Sequence, residues 1–180
     1  MKGKKGLEQS FLVCAKLSIA TLLLVLAFLA ELLAGSEKIV EELSLTDWAL
    51  VCEQVGSRSD CRMEQSMAIT PGTSDAFVLS IQVGEAGMAL GKVSIPREIY
   101  LVPGLEVDAP PADTVVAYYE FCDPHLCHAR FTLSKPLLLA FKRGSFARVR
   151  VWRSKTAHVD FPVSLHGFTA GFEYLDEVTP

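Results

Sequence analysis

Surplus positive charge is the first thing missing from this 180-residue chain: 17 Lys and Arg stand against 21 Asp and Glu, for a net charge of −4. A general nucleic-acid binder needs excess cations to displace the counterions of the phosphate backbone, so that class is excluded. Charge of either sign is also sparse. Only 21% of residues are charged and 50% are hydrophobic, which is too apolar a composition for a disordered chain. Catalytic signatures are missing as well: there is no G-x-S-x-G, no H-E-x-x-H, no phosphate-cradling glycine loop and no dinucleotide fingerprint. The expectation is a protein without catalytic residues and without a cofactor.

No uncharged run reaches the roughly 20 residues that span a hydrocarbon core. The longest, Leu17 to Ala30, has 14 residues and matches the apolar region of an export signal. Extended to Ala34, it becomes an anchor with Glu31 near one end. A clean A-x-A cleavage triplet is absent, and Cys14 precedes the run, where it cannot serve as a lipoprotein cysteine. Lys2, Lys4, Lys5 and Lys16 lie before the run, whereas Glu31, Glu37, Glu41 and Glu42 follow with only Lys38 among them. The positive-inside rule then keeps the N-terminus cytoplasmic and sends the rest across. Residues 1–35 are read as a signal peptide or an uncleaved transmembrane anchor, 36–46 as a linker, and 47–180 as the folded domain. The expected place is the periplasmic side of a bacterial inner membrane, single-pass, or the periplasm or exterior after cleavage.

Of five cysteines, Cys14 belongs to the export segment. Eight residues lie between Cys52 and Cys61, and four between Cys122 and Cys127. Near pairs in an exported domain predict disulfides, each worth roughly 2–3 kcal/mol on the chain-entropy model. The segment from Cys122 to His128 also offers two thiols and two imidazoles, His125 and His128, the ligand types of a zinc or copper site. C-x-x-C and a second ligand knuckle are both absent, and neighbours in an extended stretch point opposite ways. A structural bridge is the reading adopted, with a metal or redox site as its rival.

From Trp48 onward, short β-prone runs alternate with turn residues. Strands are predicted at 48–52, 61–69, 77–83, 88–94, 98–102, 115–121, 129–133, 137–141, 147–152, 158–163 and 171–175. Pro71-Gly72, Pro103-Gly104, Pro110-Pro111 and Gly144 break the chain between them. So many short strands predict an all-β antiparallel sandwich or sandwich-like barrel. The only helix expected is the N-terminal hydrophobic one, continuing through Glu37–Leu43.

Several segments together carry a family likeness: Trp48-Ala49-Leu50-Val51-Cys52, Cys61-Arg62-Met63-Glu64-Gln65, the Pro-bounded stretch Ile95 to Leu105, Cys122-x4-Cys127-x-Ala129, and Val163-Ser164-Leu165-His166-Gly167-Phe168-Thr169-Ala170. In their order and spacing the chain resembles the bacterial invasion-associated locus B family. The resemblance implies an exported β-sandwich with two disulfides, linked by name to host-cell invasion, and no catalytic residue.

Ser164 and His166 alternate along a strand and do not form a nucleophile and base. His125, His128, His158 and His166 are read as structural, and Asp108 and Asp113 as turn carboxylates. Six basic residues, Lys142, Arg143, Arg148, Arg150, Arg153 and Lys155, fall within 142–155 with no acid between them. They make a candidate surface for anionic lipid, lipopolysaccharide or acidic protein; the competing reading pairs them with the domain's own carboxylates. The function expected is a non-catalytic envelope binding module with a protein partner. An accessory subunit held in a membrane complex by its N-terminal helix is the first alternative, and a metal or redox protein the second.

Overall fold

The computed structural model describes residues 40–55, 58–69, 76–84 and 87–179. The export segment, 1–35, lies outside them, and among the described residues no helix is long and apolar enough to cross a membrane. In chain order the elements are β1 (Val40–Leu45), β2 (Trp48–Val55), β3 (Arg58–Ala68), β4 (Ala76–Val83), β5 (Ala89–Pro96), β6 (Leu105–Asp108) and β7 (Val115–Ala117). Then come β8 (Tyr119–Cys122), β9 (Leu126–Thr132), α1 (Lys135–Arg143), β10 (Phe146–Trp152), β11 (His158–Ser164) and α2 (Phe168–Val178).

All strand pairs are antiparallel and form two sheets, one ordered β1-β2-β3-β4-β5-β9-β8 and the other β11-β10-β6-β7. Alternation decides which face each strand buries. Phe77, Leu79 and Ile81 on β4 share a core with Val149 and Val151 on β10 and Phe161 and Val163 on β11. Phe77 and Phe161 stack across the two sheets with ring centroids 4.5 Å apart. This is the sandwich that the sequence predicts.

Three predicted strands are corrected. Residues 137–141 and 171–175 are helical. The apolar run Leu137 to Phe141 suggests a strand, but its buried positions are Leu137, Ala140 and Phe141, which is helical spacing. Pro136 sits in the first turn and Gly144 ends the helix. In α2, Phe168, Gly171, Phe172 and Leu175 are buried at i, i+3, i+4 and i+7. Residues 98–102 form a loop: Pro96 and Pro103 bracket it and supply no N–H to a ladder.

Two further differences concern boundaries. The run 115–121 divides at Tyr118 into β7 of one sheet and β8 of the other. The helix expected to continue through Leu43 gives way to β1, within the segment read as a linker. Beyond the turn at Thr46 and Asp47, β1 pairs along β2 with Leu43 opposite Leu50 and Leu45 opposite Trp48. β6, also missed, buries Leu105 and Val107 in alternation.

Helix α2 packs on β1 to β4 and on α1. Phe168 meets Trp48 edge-on at 5.5 Å and Phe141 at 5.2 Å. Gly167 has φ +86°, and a Cβ there would lie 2.3 Å from the Leu45 carbonyl oxygen, so glycine alone permits this entry to the helix.

Candidate functional site

The six basic residues from 142 to 155 fall in three places. Lys142 and Arg143 are in the last turn of α1, and the Lys142 Nζ lies 4.8 Å from the centroid of the Phe172 ring. Arg148 and Arg150 share the outer face of β10, between β6 and β11, which bring carboxylates up to them from both sides. Arg148 Nη2 donates to Asp108 at 2.6 Å, and Arg150 donates through Nε and Nη2 to Asp160 at 2.7 and 2.9 Å. That two-pronged contact is the geometry in which a guanidinium holds a carboxylate best, and the Arg150 hydrogen bond in turn holds the Asp160 carboxyl below its ordinary range. Arg153 and Lys155 lie at the turn beyond β10 and make no ion pair among the described residues.

Both predicted disulfides are formed, Cys52–Cys61 and Cys122–Cys127, each between directly opposed residues of adjacent strands. In the second hairpin the thiols offered to a metal are therefore joined to each other. Among the described residues no group of three or more His, Cys, Asp and Glu is placed to hold a metal ion.

A Ser–His–Asp chain of contacts links the same hairpin to β5. His128, on β9, faces Ser94 on β5; the Ser94 hydroxyl is 2.9 Å from Nδ1, and Nε2 is 3.0 Å from Asp123 Oδ2. The other oxygen of Asp123 accepts the backbone N–H groups of His125 and Leu126, both at 2.7 Å. The His128 contact first, and these two N–H groups after it, hold the Asp123 carboxyl far below the ordinary carboxylate range. With Asp123 ionised, the His128 Nε2–H donates to it, and the Ser94 hydroxyl meets Nδ1 on the other side of the ring. Ser94 is only 7% exposed and does not line the cleft described next, so the chain of contacts ties the hairpin tip to β5. Asp47, Ser164 and His166 meet in another order. Asp47 lies between the other two, accepting from the Ser164 hydroxyl while His166 Nδ1 is 3.7 Å away, so no imidazole adjoins the hydroxyl.

A cleft of about 400 Å³ opens between the sheets at one end of the sandwich. Ile95 on β5, Val151 on β10, and Val159 and Phe161 on β11 make its apolar walls. Arg97, Glu98, His125 and Arg153 bring ionisable groups to it. Local hydrogen bonds position these groups. The Tyr100 N–H donates to the Trp152 carbonyl at 2.7 Å, which fastens the 97–101 loop to the end of β10. Arg97 Nη1 donates to the Pro124 carbonyl at 3.4 Å, reaching the hairpin tip that Asp123 holds in shape.

The charged residues at the cleft differ from those on the sheets. Arg62, Arg130, Arg148 and Arg150 all pair with Asp or Glu. Among the described residues Arg97 and Arg153 pair with neither, and both line the cleft.

The family model for the Invasion associated locus B (IalB) protein matches residues 48–176. The chain belongs to this family. The match begins with the first residue of β2 and ends inside α2, so it takes in both disulfides and the cleft and leaves out β1. A crystal structure of invasion associated protein B from Bartonella henselae has a similar fold, with a TM-score of 0.66 at 14% sequence identity over 75% of this chain and 94% of that one. No curated protein matches the sequence.

Two residues of this IalB domain escaped the sequence reading. Gln65 is buried between the sheets, where its amide nitrogen donates to the carbonyls of Asp47 and Ser164 and its oxygen accepts the Ser164 N–H. A signal for it exists: Cys61, Met63 and Gln65 recur at every second position on the buried face of β3, and a polar group there must find partners. Arg97 gave no such signal, because its neighbours in the cleft come from remote strands and a hairpin tip.

Proposed function

We propose that this IalB-family chain is an exported, non-catalytic binding module of the bacterial envelope. Residues 1–35 hold it on the periplasmic side of the inner membrane with the N-terminus cytoplasmic, and it meets an envelope or membrane protein through the cleft end of its sandwich. One observation carries the reading. Arg62, Arg130, Arg148 and Arg150 are engaged by the domain's own carboxylates, whereas Arg97 and Arg153 line one cleft and, among the described residues, have no carboxylate bound to either. Charges already satisfied within a fold offer little to a partner, while unpaired ones beside an apolar surface supply both specificity and contact area. The two disulfides support the export step, since such bridges persist in oxidising compartments.

The test is affinity capture with C-terminally tagged full-length chain from detergent-solubilised native membranes. The same protein should be recovered in stoichiometric amount with the wild type and with Arg143→Glu, and lost with Arg97→Glu/Arg153→Glu. Equal recovery with the double variant, or no stoichiometric partner in any sample, overturns the reading.

A further inference from the structure

We infer that the cleft is a binding site for a single-chain carboxylate amphiphile, a free fatty acid, with its head at Arg97 and Arg153 and its tail against Ile69, Ile99 and Val159. The inference deepens the reading above and rests on the same end of the molecule.

Size comes first. A cleft of about 400 Å³ falls within the range of roughly 300–1,000 Å³ typical of small-molecule sites, which characteristically combine apolar walls with a few convergent polar groups. The apolar surface still open in the cleft belongs to Ile69, Ile99 and Val159, which lie in front of the core residues Ile95, Val151 and Phe161. Such a surface gains from covering an apolar tail and has nothing to hydrogen-bond along it.

Charge selects the head group. Two guanidiniums, neither in an ion pair among the described residues, line the cleft with one carboxylate, Glu98, and one imidazole, His125. An anion is the complementary occupant, and a planar carboxylate matches the guanidinium fork.

The test uses full-length chain in bilayer nanodiscs and a decanoate analogue with a photoreactive diazirine at its tail. After irradiation, peptide mass spectrometry should place label on residues 95–99 and 151–161. Excess decanoate should suppress that label, and decanol or acetate should be at least tenfold less effective. Arg97→Gln/Arg153→Gln should reduce it at least tenfold, whereas Arg143→Gln, which alters an arginine outside the cleft, should not. Absence of label from those peptides, equal labelling of the double variant, or equal suppression by decanol overturns the inference. A missing label together with charge-reversal-sensitive capture leaves the binding-module reading standing without the fatty acid. Specific labelling without any captured protein has the opposite meaning.

Discussion

The side-chain amide of Gln65 takes the place of a strand neighbour. Ser164 ends an edge strand, and Gln65 accepts its N–H at 2.9 Å and donates to its carbonyl at 3.1 Å, while Trp48 Nε1 donates to the same carbonyl at 2.9 Å. Replacing Gln65 with leucine removes the partner of the half-buried Ser164 N–H and one donor from each of two carbonyls, and a group left unsatisfied out of water costs about 1–3 kcal/mol. Denaturant unfolding should show Gln65→Leu less stable by about 2–3 kcal/mol; a change under 0.5 kcal/mol, the size of an ordinary surface substitution, would contradict the role. At the hairpin tip, Asp123 has a carboxyl held below its ordinary range by His128 and two backbone N–H groups. A depressed folded-state pKa means that its stabilising contribution is complete above the unfolded value of about 3.9 and is lost as pH falls toward the folded one. The unfolding midpoints of wild type and Asp123→Asn should therefore differ at neutral pH and draw together progressively below about pH 5. A gap that stays constant from pH 7 to pH 3 would show that the aspartate ionisation is not what stabilises the tip.

Helix α2 closes the sandwich over its first strands. Phe168 is fully buried among Trp48, Phe141 and Phe172, so Phe168→Ala should destabilise the protein by about 3–5 kcal/mol through lost burial and a cavity. Urea unfolding measures this, and a loss under 1 kcal/mol would mean that α2 frays independently of the sheets. The same helix shows where a sequence reading fails. Where one face of an exposed strand alternates, as in Arg148-Val149-Arg150-Val151, period and pairing agree and the strand is legible. The stretches Leu137 to Phe141 and Gly171 to Leu175 are short and apolar, and short apolar runs fit strand and helix alike until their neighbours are known. The Pro136 and Gly144 signals and the four-position stripe from Phe168 to Leu175 were present but outweighed by a row of strands on either side. The disulfides were legible because cysteine spacing is local, and the cleft was not because its walls come from β5, β10 and β11.

On the scale of the whole molecule, charge is divided into two uses. The outer face of β10 is a closed ladder: Arg148 and Arg150 lie between Asp108 and Glu106 on one side and Asp160 on the other. The six-residue basic cluster seen in the sequence is thus spread over a helix end, a self-paired strand and a turn. Only Arg153 of the six reaches the cleft, where it joins Arg97 from a different part of the chain. That redistribution is why composition alone could suggest a charged surface but not locate the unpaired one. The most direct test is hydrogen–deuterium exchange on the full-length chain, comparing native membranes with the purified protein. The account predicts added protection in the membrane sample at residues 97–101, 123–126 and 152–157, which surround the cleft, with the outer face of β10 unchanged. Protection confined to β10 and β11, or none anywhere in the sandwich, would contradict it.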